Sequence, residues 1–332
     1  MVFSFFSLFQ KTATLFNSTK KRKVVPLLKL PLLATEEVLK QLDFGDIYPL
    51  SKCSKRCSKM VRLANTKEYT LTFGTSSSSL FLEVDKFRLI IPKDEQKRNS
   101  EDPTLVDTII EELRAEFSHL LTTFKFHQKS FVSYGIWTPE QTQLLLETII
   151  GKHGNTFENF TLSENDDGDM RNQWILENIK VNNNIILTTY APLAQKLFIF
   201  KTCQKVLLSR GSSWINLDTL VSLASCKAIE VIRNVLLTAK DIDSFMEMWK
   251  KDKFPNLEYL FLRGMKWEDN ERICGFTREQ LSVIKDERRW KTISSKRFPC
   301  YGGVDIQSNG GVNGTLSFNI FFRAVLFFVW KD

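Results

Sequence analysis

Residues 26–62 read PLLKLPLLATEEVLKQLDFGDIYPLSKCSKRCSKMVR. Leucines crowd this stretch, yet it is cut into pieces too short to fold around themselves. Pro31 follows Leu30 and suits the opening turn of a helix, because the N–H it lacks would be unpaired there in any case. Val38, Leu39 and Leu42 then recur on one face. The segment from Asp43 to Asp46 breaks that pattern. Asp46 is placed to cap a second helix that carries Ile47, Leu50 and Cys53 and runs on to Met60, with Pro49 in its first turn. A segment of about 40 residues rarely stabilises itself without a metal, a disulfide or a partner. Adding Leu27, Leu28, Leu32 and Leu33 gives more apolar side chains than two short helices hide from each other. They have two destinations: the rest of the chain, or the helices of a partner that completes the core.

The remainder is long enough for a substantial domain, and 43% hydrophobic with 25% charged residues supports a buried core. Charge is unevenly spread. Residues 1–62 hold 12 Lys and Arg against four acids, whereas the remaining 270 hold 34 of each sign, giving a net charge of +8. A neutral body argues against a nucleic-acid-binding domain, so the run Lys52, Lys55, Arg56, Lys59 and Arg62 reads as a solvated helical face. Residues 1–25 read as a disordered basic tail without the layout of a secretory signal. Its Lys20-Lys21-Arg22-Lys23 has the form of a nuclear localisation signal, and a cytoplasmic or nuclear location, or both, is expected. Six widely spaced cysteines read as free thiols in a reducing compartment. The C-terminal LSFNIFFRAVLFFVW is too short, and too interrupted by Arg323, to span a membrane; it reads as a closing strand, and no membrane partner is expected.

Downstream of the leucine-rich stretch, YTLTF (69–73), LFLEV (80–84) and FRLII (87–91) form a small antiparallel meander, followed by a charged loop over 93–102. Pro103 opens a helix whose apolar stripe runs from Leu105 to Phe124. Short strands then alternate with helices: FENFTL (157–162), NIILTT (184–189), KLFIF (196–200), QKVLLS (204–209), KAIEVI (227–232) and NLEYLFL (256–262). A helix is expected over 170–179, and further helices open at Thr138 and at Thr277 on the capping boxes TPEQ and TREQ, at Asn216, and at Thr238 with Thr238 and Asp241 as caps. Phe157-x-x-Phe160-x-Leu162 and Leu257-x-x-Leu260-x-Leu262 share the strand pattern of a leucine-rich repeat, with a step near 30 residues. The expected fold is α+β: a small helical module, then an irregular leucine-rich-repeat-like α/β domain. The Gly-rich stretch 301–315 is expected to be a turn between its last two strands.

Catalytic and metal chemistry find no foothold. Cys53 and Cys57 have no second Cys/His pair to complete a zinc site. His119, His127 and His153 make no metal-ligand pair, and GKHG (151–154) lacks the spacing of a phosphate-wrapping loop. Asp166, Asp167 and Asp169 surround Gly168 without the closing glutamate of a calcium loop. No enzyme activity, metal or cofactor is expected.

The stretch LPLLATEEVLKQLDFGDIYPLSKCSKRC (30–57) resembles an F-box in the order and spacing of its leucines, of Asp46-Ile47-x-x-Leu50-Ser51 and of Ser54-Lys55-Arg56. SSWINLDTLVSL, LLTAKDIDSFMEMWKK and FPNLEYLFL, over 212–262, resemble the core of the type-2 F-box-associated domain of the large nematode F-box family. The resemblance implies an F-box at 26–65 and a target-binding F-box-associated domain at 67–332, best matched over 156–262. It also implies a substrate receptor of an SCF-type ubiquitin ligase, whose F-box docks on a Skp-type adaptor, and through it on a cullin, while the second domain captures a target protein. The implied adaptor-binding residues are Leu30, Pro31, Val38, Leu39, Leu42, Ile47, Leu50 and Cys53. Pro49 stands where the family usually has a helix-tolerant residue, and Cys53 where it often has Thr or Ser. Target contacts are not assigned, with Trp214 and Trp267 as conceivable anchors. The rival readings are an interaction scaffold whose N-terminal helices fold onto its own domain, and a nucleic-acid-binding protein that uses its basic N-terminal region.

Overall fold

The structure, a computed structural model, describes residues 27–75, 79–92, 103–134, 139–163, 174, 177–188, 203–209, 215–232, 237–265, 267–268, 270–293 and 296–331. The tail over 1–25, the loop over 93–102, the strand KLFIF, the Asp166–Asp169 cluster, Trp214 and most of the helix expected over 170–179 lie outside these residues. The chain divides into two compact units, one ending at Thr66 and the other beginning at Lys67.

The first unit is helical. A 3-10 turn, Leu27–Lys29, leads into α1, Leu32–Gln41, whose N-cap is Pro31. The second helix, α2, spans Phe44–Lys52 with Asp43 as N-cap, so Asp46 lies in its first turn and does not cap it. Pro49 is inside α2, not in its first turn. The single helix expected to run to Met60 is two helices. Ser54, extended at φ −165° and ψ 163°, ends one and caps the next, α3 (Lys55–Ala64), its hydroxyl accepting from the Cys57 N–H at 3.1 Å. The third helix packs on both of the others. Leu39, Phe44, Ile47, Tyr48, Cys57, Val61 and Ala64 form its buried interior, with the Phe44 and Tyr48 rings stacked at 5.8 Å.

The second unit is built on a mixed sheet of twelve strands. In chain order these are β1 (Glu68–Thr75), β2 (Ser79–Val84), β3 (Phe87–Pro92), β4 (Lys125–Tyr134), β5 (Thr156–Ser163), β6 (Lys180–Thr188), β7 (Lys205–Ser209), β8 (Ala228–Ile232) and β9 (Tyr259–Arg263). A separate hairpin, β10 (Ile284–Ile293) with β11 (Lys296–Gly302), precedes the last three, β12 (Val304–Gln307), β13 (Asn313–Asn319) and β14 (Ala324–Trp330). The spatial order is β12-β13-β14-β9-β8-β7-β6-β5-β4-β1-β2-β3. From β1 through β4 to β9 each strand is parallel to its neighbour, and antiparallel strands close both ends. Parallel neighbours need a crossover between them. Helices α4 (Pro103–Thr123), α5 (Pro139–His153), α6 (Leu217–Ser222) and α7 (Ala239–Lys250) supply several of these, and a short α8 (Arg278–Leu281) precedes the separate hairpin.

The expected meander is present as β1–β3, and Asn216, Thr238 and Thr277 each cap a helix through a capping box. Two readings of the C-terminal part need correction. The Gly-rich stretch contains a strand, β12, and is not merely a turn. The final apolar segment is not one strand but the hairpin β13–β14, turning at Ile320–Arg323 with Arg323 in the left-handed region at φ 47°. A leucine-rich-repeat-like description is not confirmed. Paired residues step by 21 positions from Asn184 to Lys205 and by 31 from Ala228 to Tyr259, where a true repeat would hold its period.

Strand alternation gives the sheet two chemically distinct faces. One row, paired strand to strand, runs Phe73, Phe131, Phe160, Ile185, Val206, Ile229, Leu260 and Phe327, and each of these is at most 1% exposed. Helices cover this face: Phe117 of α4 meets Phe73 edge-on at 4.4 Å, and Trp249 of α7 meets Phe327 at 4.7 Å. Burying each such side chain contributes about 1.5–3 kcal/mol, so this row contributes substantially to the domain's stability.

Candidate docking surfaces

In the helical unit the eight residues implied as adaptor-binding separate by depth. Pro31 and Cys53 are exposed, Val38 is 38% exposed, and Leu30, Leu42 and Leu50 are half-buried. Leu39 and Ile47 are both 0% exposed, so they belong to the packing of the helices rather than to any surface they present. The 3.6-residue period that drew attention to them marks an inward stripe. The side chains standing outward are different ones: Leu32 at 54%, Leu33 at 77%, Leu63 at 57% and Leu28 at 38%. No property of a leucine in sequence distinguishes these from the buried ones. Only the packing of α3 against α1 and α2 does.

The charges of this unit follow the helices. On α1, Lys40 pairs with Glu36 at 3.2 Å and Glu37 at 2.8 Å. The hydrogen bonds that its ammonium donates to the Glu37 and Glu36 carboxylates hold Lys40 above the ordinary lysine range. On α3, Lys55, Arg56, Lys59 and Arg62 are all exposed. Arg56 donates to the Leu28 carbonyl at 3.3 Å, tying the 3-10 turn to α3. The expected five-residue basic face is interrupted after Lys52, because α2 ends there.

On the sheet, the face opposite the apolar row is polar from β3 across to β7, ranging from exposed at Arg88 through half-buried Glu83, Thr72, Asn159 and Asn184 to buried Ser130 and Lys205. Its register runs Arg88, Glu83, Thr72, Ser130, Asn159, Asn184 and Lys205 across seven neighbouring strands. Side chains link along it: Arg88 Nε donates to Glu83 at 2.8 Å, Asn184 to Asn159 at 2.7 Å, and Asn159 to the Ser130 hydroxyl at 3.1 Å. Lys205 Nζ pairs with Glu230 at 2.5 Å and lies 5.6 Å over the Phe298 ring. Beyond Lys205 the row turns apolar, with Ala228, Tyr259 and Phe328 buried together with Cys300 of the separate hairpin. Burial, together with the nearby Glu230 charge, pushes the Tyr259 phenol above its ordinary range. This polar row escaped sequence reasoning because its members come from strands with no common period.

Trp267, a conceivable target anchor, is half-buried, its indole donating to the Glu271 carbonyl at 3.1 Å and packing edge-on against Phe318. His127 is exposed, and among the described residues no group of three or more His, Cys, Asp or Glu could hold a metal ion. Among those residues, no helix is long and apolar enough to cross a membrane.

No curated protein and no solved structure matches the chain. Two family models do. The F-box domain model matches residues 27–69, which contain the whole three-helix unit, and the F-box associated model matches residues 194–262, which contain β7, α6, β8, α7 and all of β9 but its last residue. Found in this order along one chain, the two matches correspond to the domains of an F-box protein with a type-2 F-box-associated domain.

Proposed function

We propose that this protein is the substrate-recognition subunit of an SCF-type cullin–RING ubiquitin ligase. F-box domains generally bind Skp-type adaptors in such complexes, and F-box-associated families are adaptor-type and non-catalytic. One end of the chain would hold the adaptor and its cullin, the other a target protein, and ubiquitin transfer would be performed by other subunits. The chain's contribution is then effective concentration, holding target lysines near the ubiquitin-carrying enzyme.

The observation that carries this reading is the outward-facing apolar set on α1, with Leu32 54% and Leu33 77% exposed beside Val38 at 38%. Apolar side chains left exposed on a short helix over an already filled interior fit a surface completed by a partner's helices. The eight residues implied by the resemblance are retained in part: Pro31, Val38 and Cys53 as contacts, Leu30, Leu42 and Leu50 at the margin, and Leu39 and Ile47 as supports. For the target, the half-buried polar row is the surface proposed. Asn184 Oδ1 is buried there without a hydrogen-bond partner, an acceptor at the end of the Asn–Asn–Ser chain. The free thiols fit a reducing cytoplasm or nucleus.

The test is co-expression of the full chain with a Skp-type adaptor, read by size-exclusion chromatography. Leu32→Asp plus Leu33→Asp should abolish a one-to-one complex while leaving far-UV circular dichroism unchanged, since neither side chain belongs to the interior. A wild-type chain that is folded and never associates would return these leucines to a purely internal role.

A further inference from the structure

The twelve-stranded sheet ends in two outer strands, β12 and β3, and they are finished differently. β12 is four residues long and carries Asp305 at an exposed position. Short length and a charge are common guards of a sheet edge, because both discourage a further strand from pairing there. β3 is six residues long, FRLIIP, with Arg88 as its one charged residue. The Arg88 guanidinium donates to Glu83 and lies 4.5 Å over the Phe81 ring, both on the inner neighbour β2, so this charge is drawn away from the edge. Ile90 is left 54% exposed. The hydrogen-bond pattern fixes which backbone groups point outward. The Asp85 N–H donates to the Thr70 carbonyl at 3.1 Å, so counting back from Asp85, Glu83 and Phe81 bond toward β1, and Val84 and Leu82 toward β3. Val84 and Leu82 are paired with Phe87 and Leu89, which leaves Arg88 and Ile90 with their N–H and C=O groups on the outer side. Pro92, the next outward position, has no N–H to offer, as suits an outer strand. Among the described residues no strand pairs with that side.

We infer that β3 is a strand-accepting edge, and that an extended segment of the captured target pairs with Arg88 and Ile90 to become a further strand of the sheet. This rests on the reading of the second unit as the target-capturing domain. The chemistry of the edge defines the segment. Donor and acceptor groups on alternate residues are met by an extended backbone and not by a helix, whose own groups are already paired. Side chains of the added strand would lie beside Leu89 on the helix-covered face and beside Ile90 on the other. The Arg88 charge is matched by Glu83, so the segment that fits is uncharged and β-branched at its centre. Arg88 and Glu83 are also the first members of the polar row proposed for the target, so a strand added there runs directly beside that row. A second copy of the chain would bring a matching edge. Twin six-residue edges, however, meet along only about 20 Å and one strand's width, short of the surface of about 1,200 Å² that stable pairs bury.

The experiment selects binders to the full chain from a phage-displayed library of random peptides of about ten residues, long enough to span β3. Selected peptides are synthesised, and their affinities for the wild type, Ile90→Pro and Ile90→Lys are read by fluorescence polarisation. Ile90→Pro deletes one outward donor and leaves the bonds to β2 in place, whereas Ile90→Lys keeps the backbone and puts a charge on the edge. Peptides rich in Val, Ile and Thr are expected, bound about tenfold more weakly by Ile90→Pro and severalfold more weakly by Ile90→Lys. N-methylation of one alternate set of peptide amides should abolish binding, and of the other set leave it unchanged. The bound peptide should also slow hydrogen exchange over residues 87–92. Equal affinity for all three chains, or no peptide recovered, would overturn the inference. So would a wild-type dimer in sedimentation equilibrium that Ile90→Lys dissociates, since the edge would then belong to a second copy. Adaptor binding is measured in parallel on the same three chains. A chain that takes these peptides at β3 and never forms the adaptor complex would overturn the ligase reading and uphold the strand-accepting edge.

Discussion

Cys53 closes α2 as its C-cap, exposed, with its thiol directed at the Pro49 carbonyl 3.3 Å away. The other thiols are placed differently. Cys57, Cys203, Cys226 and Cys300 are buried, and Cys274 is half-buried, with burial pushing its thiol up to about 11. A hydrogen bond with Cys203, reinforced by burial, likewise keeps Cys226 in the neutral form. Because only the thiolate attacks a disulfide reagent, and only if the reagent reaches it, the six cysteines should separate by rate. Near pH 8, Ellman's reagent should show one fast phase, removed by Cys53→Ser, then a slow phase from Cys274, with the buried four reacting only on unfolding. The same thiol reports on docking, since Cys53 lies among the residues proposed to face the adaptor and saturating adaptor should suppress the fast phase. The sequence alone marks Cys53 only as unusual for its family, and its value as a probe comes from exposure.

Ser54 shows where the elements were legible and where they were not. The helix starts at Asn216, Thr238 and Thr277 are legible because a cap joins residues three apart, within four letters of sequence; the box expected at Thr277 is present, and Asn216 and Thr238 close boxes as well. Ser54 caps α3 with a cysteine three residues later, which forms no box, and the basic residues on either side suggest an unbroken face. Likewise the turn at Ile320–Arg323 has neither glycine nor proline, so an apolar run that actually reverses direction reads as one strand. Gly303, by contrast, is needed where it stands: its φ is 106°, and a Cβ there would lie 2.3 Å from the Leu316 carbonyl oxygen. The cap itself can be tested. Ser54→Ala removes the acceptor for the Cys57 N–H and should destabilise α3 by about 1 kcal/mol. Labelling of the buried Cys57 thiol, which requires local opening of this helix, should then accelerate about fivefold. Asp43→Ala, at an N-cap without a side-chain hydrogen bond, should change that rate much less.

Across the whole sheet, the alternation of faces makes adjacent residues of one strand play opposite roles. Phe160 stands in the apolar row, 0% exposed, with its ring stacked 5.1 Å from Phe131, and Asn159 stands in the polar row between Ser130 and Asn184. The sequence disclosed the strand FENFTL and its apolar positions, because period two is local. It could not disclose that three residues from β4, β5 and β6 meet in one hydrogen-bonded line, because register depends on crossovers of unequal length and on a bulge between Phe157 and Asn159. Register is also the feature most open to test, since a slip of one residue would exchange the two faces of the strand. Phe160→Ala should cost about 3–5 kcal/mol through the cavity it opens. Asn159→Ala removes one donor and one acceptor from a half-buried line and should cost about 1–3 kcal/mol. Urea unfolding of the full chain, followed by tryptophan fluorescence, measures both. An Asn159→Ala loss larger than that of Phe160→Ala would mean that the face proposed for the target is the one turned toward the helices. The expected order leaves that face available, its polarity maintained by neighbouring strands rather than by a covering helix, so that changes along the row alter recognition at small cost to the fold.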